Sequence, residues 1–407
     1  MACYQSLKSG FYMTWRMMLW LITALVLSMS LGIANAAKKP GLPAPYTYYS
    51  VGNPDFSPAI VQAREHPSYV LMGGGPDVDE AFRWMIQKAG ITPATGGRLV
   101  VIRATGDGAY NPYIYFSNRR KSMASSDIAD GWVGGASLGL SSVETLVIPS
   151  TAAANAQFVN TVVGRANAVW IAGGDQADYI KYWKGQALET TLKTLMDHNV
   201  PVGGTSAGLA VLGGFDFTAL NGTVTSPQAL TDPYNAFMTF DPSPLSTSGG
   251  FVAPAALANT IVDSHFDSRD RMGRLISFVS RLIGPYSGAG TQHYGCAGGV
   301  LGNKAARGIG IGVEAALLVQ RNLDLTYTGQ RVTNTSTTTE SAVYFVDVTQ
   351  GPTVCTPGKP LDVPTSSVVI RKLGNSGTTI NLTEWLNFPI HASVGVSAGV
   401  LLPANPY

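Results

Sequence analysis

A serine bracketed by glycines, Gly204-Thr205-Ser206-Ala207-Gly208, stands between two apolar runs in VPVGGTSAGLAVLGG, residues 200–214. A G-x-S-x-G turn joins a strand to a helix sharply enough to hold the serine Oγ above the sheet. The next backbone N–H, that of Ala207, then faces an oxyanion forming on an attacked carbonyl. The chemistry such a turn can do is nucleophilic acyl transfer. A glycine-rich strand–helix turn with an incidental serine has the same spelling, so the pentapeptide needs partners. A serine hydroxyl is a weak nucleophile near neutral pH and requires a base. The five histidines are His66, His198, His265, His293 and His391. His198 sits at the foot of the strand entering the turn, the wrong end. The residue pattern leaves His265, in IVDSHFDSRDRMGRL, and His293 both open.

The elements that would position these groups follow from hydrophobic periodicity. YVLMGGG (69–75), GRLVVIRAT (97–105), ETLVIPS (144–150), AVWIAGGD (168–175) and VPVGGTS (200–206) are short, continuous apolar runs. Segments with helical spacing separate them, including VDEAFRWMIQKAG, NAQFVNTVVGRA and ADYIKYWKGQALETTLKTLMDHN. Buried strands alternating with amphipathic helices predict βαβ units and a mostly parallel sheet covered on both faces, a three-layer α/β/α sandwich. Ligands in such sheets bind at the carboxyl ends of the strands, where Ser206 falls. After Phe215 a Thr/Ser/Pro/Gly-rich excursion intervenes. RDRMGRLISFVSRLI then restores a helix, and GIGIGVEAALLVQ, SAVYFVDVT and SSVVIRKL predict antiparallel C-terminal strands.

Residues 1–36 carry Lys8 and Arg16, no acid, an apolar run MMLWLITALVLSMSLGI and then Ala34-Asn35-Ala36. That order reads as a secretory signal peptide with a small-residue cleavage site, with an uncleaved anchor as the alternative. The expected product is secreted, extracellular or periplasmic, and not held at a membrane after cleavage. It would divide into a domain over 37–320 and a β-rich extension over 321–407. Without the signal, 25 basic residues face 25 acidic ones. A balanced charge argues against nucleic-acid partners. Cys296 and Cys355 would meet an oxidising compartment, which allows a disulfide but leaves their distance open. No clustered His/Cys spacing predicts a metal, and no cofactor motif is present. A peptide or polypeptide substrate is the expected partner, and a homodimer is one candidate assembly.

Four motifs in order over residues 69–320 give the chain a family resemblance. They are Gly173-Gly174-Asp175-Gln176, the Ser206 turn, Asp263-Ser264-His265-Phe266 followed by Arg269, Arg271, Arg274 and Leu275, and the later GIGIGVEAAL. Together they resemble the cyanophycinase branch of the S51 serine peptidases, on a class I glutamine amidotransferase-like (flavodoxin-like) fold. The resemblance implies Ser206 as nucleophile and His265 as base, with Gly174 and Ala207 giving N–H groups to the oxyanion. It implies Gln176, Asp263, Arg269, Arg271, Arg274 and Glu314 at the substrate, Glu314 taking the acidic position after the glycine-rich strand. The implied activity is release of β-aspartyl-arginine dipeptides from a cyanophycin-like polymer; guanidinium forks suit a free α-carboxylate.

Two features stand against that pattern. The resemblance implies an acid after the serine, yet residues 221–226, NGTVTS, hold none, with Asp216 earlier and Asp232 later. A backbone carbonyl or a hydroxyl such as Ser226 would then orient His265. The arginines also have an ordinary explanation: Asp267 and Arg271, and Asp270 and Arg274, are spaced as helix-surface ion pairs. Peptidases for other acidic or isoaspartyl peptides, and a non-catalytic binding homologue, are the competing readings. A lipase or esterase using His391 ranks last.

Overall fold

Residues 43–58, 64, 66–117, 132–290, 292–337, 340–374, 379–385 and 388–407 are described by the computed structural model. The expected signal segment lies outside them. The first strands are β1 (Thr47–Gly52), β2 (Ser68–Met72), β3 (Arg98–Arg103), β4 (Ser142–Val147), β5 (Ala168–Ile171) and β6 (Val202–Thr205). β4, β3, β5, β6 and β2 run parallel in that spatial order, with β1 antiparallel on the β4 edge. All of the strands read from the apolar runs are present; β1, TYYSVG, is short of aliphatic residues and escaped that pattern.

The parallel strands are apolar on both faces because each face is covered. Val100 and Ile102 of β3, and Val169 and Ile171 of β5, join one core with Val159, Val162, Tyr179, Trp183, Leu188 and Leu192 from the helices Gln157–Gly164, Gln176–Trp183 and Ala187–Asp197. The alternate residues Leu99, Val101, Ala168 and Trp170 join the opposite core with Phe82, Met85 and Ile86 of helix Asp79–Lys88. Period-two alternation on a strand thus divides two apolar layers rather than core from solvent.

The later chain adds β7 (Asp216–Phe217) with β8 (Phe240–Asp241), β9 (Thr260–Asp263), β10 (Tyr286–Ser287) with β11 (His293–Tyr294), and then β12 (Arg307–Ile311) and β13 (Ala315–Arg321). Beyond these come β14 (Tyr327–Thr333), β15 (Val343–Val348), β16 (Val363–Leu373), β17 (Thr379–Asn381), β18 (Ile390–Ser397) and β19 (Val400–Leu402). β13, β14 and β17 extend the first sheet antiparallel from β2. A second sheet has the order β19-β18-β16-β15-β12-β9, with β9 and β12 parallel. Ile309, Ile311, Val343 and Phe345 from it close the first core, while Tyr344, Val346 and Val348 face helix Met272–Leu282.

The division at residue 320 expected from the sequence falls inside a strand. β13 runs across that point, and strands from 321–407 pair with β13 in one sheet and β12 in the other. Pro45–Tyr407 therefore form one unit. The physical reason is that β13 and β12 would otherwise expose open backbone edges. Cys296 and Cys355 are joined by a disulfide, Cα to Cα 5.1 Å.

Candidate active site

Ser206 follows β6 and precedes the short helix Ala207–Ala210. Its backbone has φ 54° and ψ −114°, a left-handed conformation that an L-residue adopts only under local constraint. The constraint is close backbone packing: a Cβ added to Gly208 would lie 2.0 Å from the Ile171 carbonyl oxygen. Only hydrogen fits there. His265, the second residue after β9, also has a positive φ, 45°. Its Nε2 is 2.8 Å from Ser206 Oγ.

Three consecutive carbonyls hold the site together. Met72 O accepts the Ser206 N–H at 3.2 Å, Gly73 O accepts that of His265 at 2.7 Å, and Gly74 O accepts that of Glu314 at 2.9 Å. The glycine loop after β2 thereby ties down residues that arrive from three other strands. A Cβ on Gly74, whose φ is +94°, would sit 2.5 Å from His265 Cε1. Gly74→Ala is therefore expected to drive the imidazole off Ser206. The rate of Ser206 labelling by a neutral fluorophosphonate should fall about a hundredfold in a protein that still folds. An unchanged rate would mean that the ring is not set by this contact.

Burial, then the nearby charges of Arg269 and Arg271, hold the His265 pKa down at about 4; Asp263 opposes this and Arg274 adds to it. The neutral imidazole is the form that accepts the serine proton. Fluorophosphonate labelling should thus stay level as pH falls through the ordinary histidine range and drop to half near pH 4. A midpoint near pH 6.5 would show that burial and the arginines do not act on this ring.

No carboxylate among the described residues hydrogen-bonds His265 Nδ1. Ser226 does not orient the imidazole either: its Oγ donates to Asp270 O and accepts the Arg274 N–H at 3.1 Å. Of the other histidines, His198 Nδ1 contacts Thr194 O at 2.7 Å, and His293 Nδ1 lies 3.3 Å from Ser287 Oγ. His391 is exposed on β18. Glu314 enters through its backbone, and its half-buried carboxylate makes no hydrogen bond or ion pair among the described residues.

The arginine cluster differs from both sequence readings. Arg274 Nε and Nη2 bind the two Asp263 carboxylate oxygens at 2.7 and 2.5 Å, and its Nη1 donates to Thr223 Oγ1 and Val224 O, each at 3.1 Å. Arg271 Nη1 donates to Ser264 O at 2.7 Å and approaches Asp263 at 3.2 Å. Neither arginine makes the helix-surface pair that its spacing suggested. Asp263 and Arg274 are buried, and their hydrogen bonds go to each other and to Arg271, the Ser264 N–H, Thr223 and Val224. Arg269 is different: it is exposed, and among the described residues no hydrogen bond or ion pair holds its guanidinium.

The Gly173-Gly174-Asp175-Gln176 turn lies against the nucleophile, since a Cβ on Gly173 would be 3.4 Å from Ser206 Cβ. Gly174 is exposed there. Asp175, not Gln176, caps the following helix, accepting the Ala177 N–H at 2.9 Å. Gln176 Nε2 reaches only Phe217 O, at 3.5 Å. Ala207 opens its helix, so its N–H has no intrahelical acceptor. Sequence reasoning passed over the Met72, Gly73 and Gly74 carbonyls. Among the described residues no cluster of three or more His, Cys, Asp or Glu could hold a metal.

No family model matches the chain, and no curated protein matches it. Among solved structures, a crystal structure of a peptidase from an acI-B1 Actinobacterium is similar at 15% sequence identity and a TM-score of 0.40. The similarity covers 79% of this chain and 98% of that one.

Proposed function

We propose that this chain is a secreted serine-type exopeptidase of the S51, class I glutamine amidotransferase-like kind, releasing β-aspartyl-arginine dipeptides from a cyanophycin-like polymer. The observation that carries the reading is the 2.8 Å Ser206 Oγ–His265 Nε2 contact at a strained strand–helix turn. His265 takes the hydroxyl proton as Oγ bonds to the scissile carbonyl carbon. The N–H groups of Ala207 and Gly174 stabilise the oxyanion. Collapse of the tetrahedral adduct breaks the C–N bond, and His265 passes its proton to the leaving amine. Water, deprotonated by His265, then frees the acyl group and restores Ser206. Arg269, with Gln176 at the rim, receives a substrate carboxylate. Glu314, fixed to the loop that abuts the imidazole, is the first acid to test as an orienter of Nδ1.

The test is dipeptide release from an insoluble β-aspartyl-arginine polymer, run beside fluorophosphonate labelling of Ser206. Dipeptide together with labelling supports the proposal. Labelling without dipeptide retains the hydrolase and removes this substrate. The missing Nδ1 acceptor favours a second reading, a non-catalytic binding homologue, for which adsorption to the polymer with neither labelling nor release is the expected result.

A further inference from the structure

The turn that carries His265 and Arg269 is strained at both ends. His265 and Asp270 have φ 45° and 47°, left-handed values that an L-residue keeps only where its surroundings hold it there. Between them the chain closes on itself. The Arg269 N–H donates to His265 O at 3.2 Å, that of Asp270 to Asp267 O at 3.1 Å, and that of Arg271 to Phe266 O at 2.9 Å. Helix Met272–Leu282 follows at once, and its first N–H has no intrahelical acceptor. An ordinary cap would come from the side chain of residue 271, but Arg271 supplies none.

The missing acceptor arrives from far along the chain. The Tyr407 hydroxyl accepts the Met272 N–H at 2.8 Å and donates to Asp270 Oδ1 at 3.0 Å. Its ring meets Phe266 edge-on, centroids 6.0 Å apart, and Tyr344 of β15 at 5.6 Å. Phe266, the residue after the base, is fully buried and also abuts β12, since a Cβ on Gly310 would lie 2.4 Å from its ring. The Asp270 carbonyl is held separately, by Ser226 Oγ. One side chain therefore grips the turn at its entry, through Phe266, and at its exit, through Asp270 and Met272.

We propose that Tyr407 is a positioning residue for the base: its hydroxyl, shared between Asp270 and the Met272 N–H, fixes the turn so that His265 Nε2 stays on Ser206 Oγ. A phenol suits this role because hydroxyl and ring are one rigid plane. The oxygen cannot follow a shift of Asp270 or Met272 without moving the ring against Phe266, and Phe266 adjoins His265. A displacement at the exit of the turn is thereby resisted at its entry. Serine or aspartate at the cap would satisfy the helix N–H equally well and make no such link. Arg269 rides on the same turn, so the tie holds its backbone as well.

The inference rests on the Ser206–His265 reading, so the test separates the two. Wild type, Tyr407→Phe and Tyr407→Ala are compared by the fluorophosphonate labelling rate of Ser206 across pH, with urea unfolding alongside. Tyr407→Phe keeps the ring and loses both hydrogen bonds; its labelling is expected to be about tenfold slower. Tyr407→Ala frees Phe266 as well and should be about a hundredfold slower, the scale of a displacement of about 1 Å. The pH of half-maximal labelling should also rise in both. Burial, then Arg269 and Arg271, hold the His265 pKa at about 4, and a loosened turn admits water to the ring. A tyrosine that only caps the helix would lower the urea midpoint and leave labelling rate and pH midpoint at wild-type values. That result would overturn the proposal and leave the hydrolase standing. A wild type that does not label would remove the nucleophile–base pair and the positioning role together. If Tyr407→Ala fails to fold, Tyr407→Phe decides.

Discussion

Replacing Ser206 by alanine is expected to reduce hydrolysis by about 10⁴-fold or more and to abolish fluorophosphonate labelling, with the unfolding midpoint unchanged. The fold should tolerate the change because, among the described residues, the hydroxyl makes one hydrogen bond, the 2.8 Å bond to His265 Nε2. His265 is half-buried, so water can replace that bond. Alanine carries the same backbone strain as serine at φ 54°. His265→Ala should lose nearly as much activity, and the double variant little more, because nucleophile and base act as one unit. Residual turnover in Ser206→Ala near the wild-type rate would place the chemistry elsewhere. Additive losses in the double variant would show that the two residues act in separate steps.

The parts of this site that were legible in the sequence are those set by local geometry. Gly204 and Gly208 flank Ser206 because strand and helix backbones nearly touch there, a constraint that any reader of G-x-S-x-G can apply. The five parallel strands were legible because burial on both faces writes continuous apolar runs. The choice of His265 over His293 was not local. It depends on β9 lying beside β12 in a second sheet, whose carboxyl end meets the loop after β2. No periodicity records that pairing, and the motif resemblance supplied it. The carbonyl bracket at Met72, Gly73 and Gly74 was invisible because backbone acceptors carry no residue identity. The arginines were misplaced because four-residue spacing predicts surface pairs only if the helix already includes the acids. Here the helix begins at Met272, after Asp267 and Asp270, and Arg274 turns inward to Asp263.

That inward turn sets the largest expected change in stability. Asp263 and Arg274 are 3% and 2% exposed, and the Arg274 guanidinium lies 5.2 Å from the Phe217 ring centroid and 5.6 Å from that of Phe278. Asp263→Ala would leave that guanidinium buried without its counter-ion, and Arg271 without its partner. The expected loss is about 3–5 kcal/mol, the scale for breaking one side of a buried pair, measured as a lower urea midpoint with an unchanged slope. Removing both charges should be milder. In Asp263→Leu with Arg274→Met, apolar side chains replace the pair against Phe217 and Phe278, and much of the lost stability should return. Activity discriminates further. If the pair positions the β9 end, and with it His265, the single variant lowers the labelling rate of Ser206, whereas the double variant restores labelling along with stability. A single variant with an unchanged urea midpoint and a raised KM would instead mean that Asp263 and Arg274 meet substrate directly. Buried charges whose hydrogen bonds go to protein groups have little left to give a ligand, and on that ground the Asp263–Arg274 pair is expected to brace the end of β9.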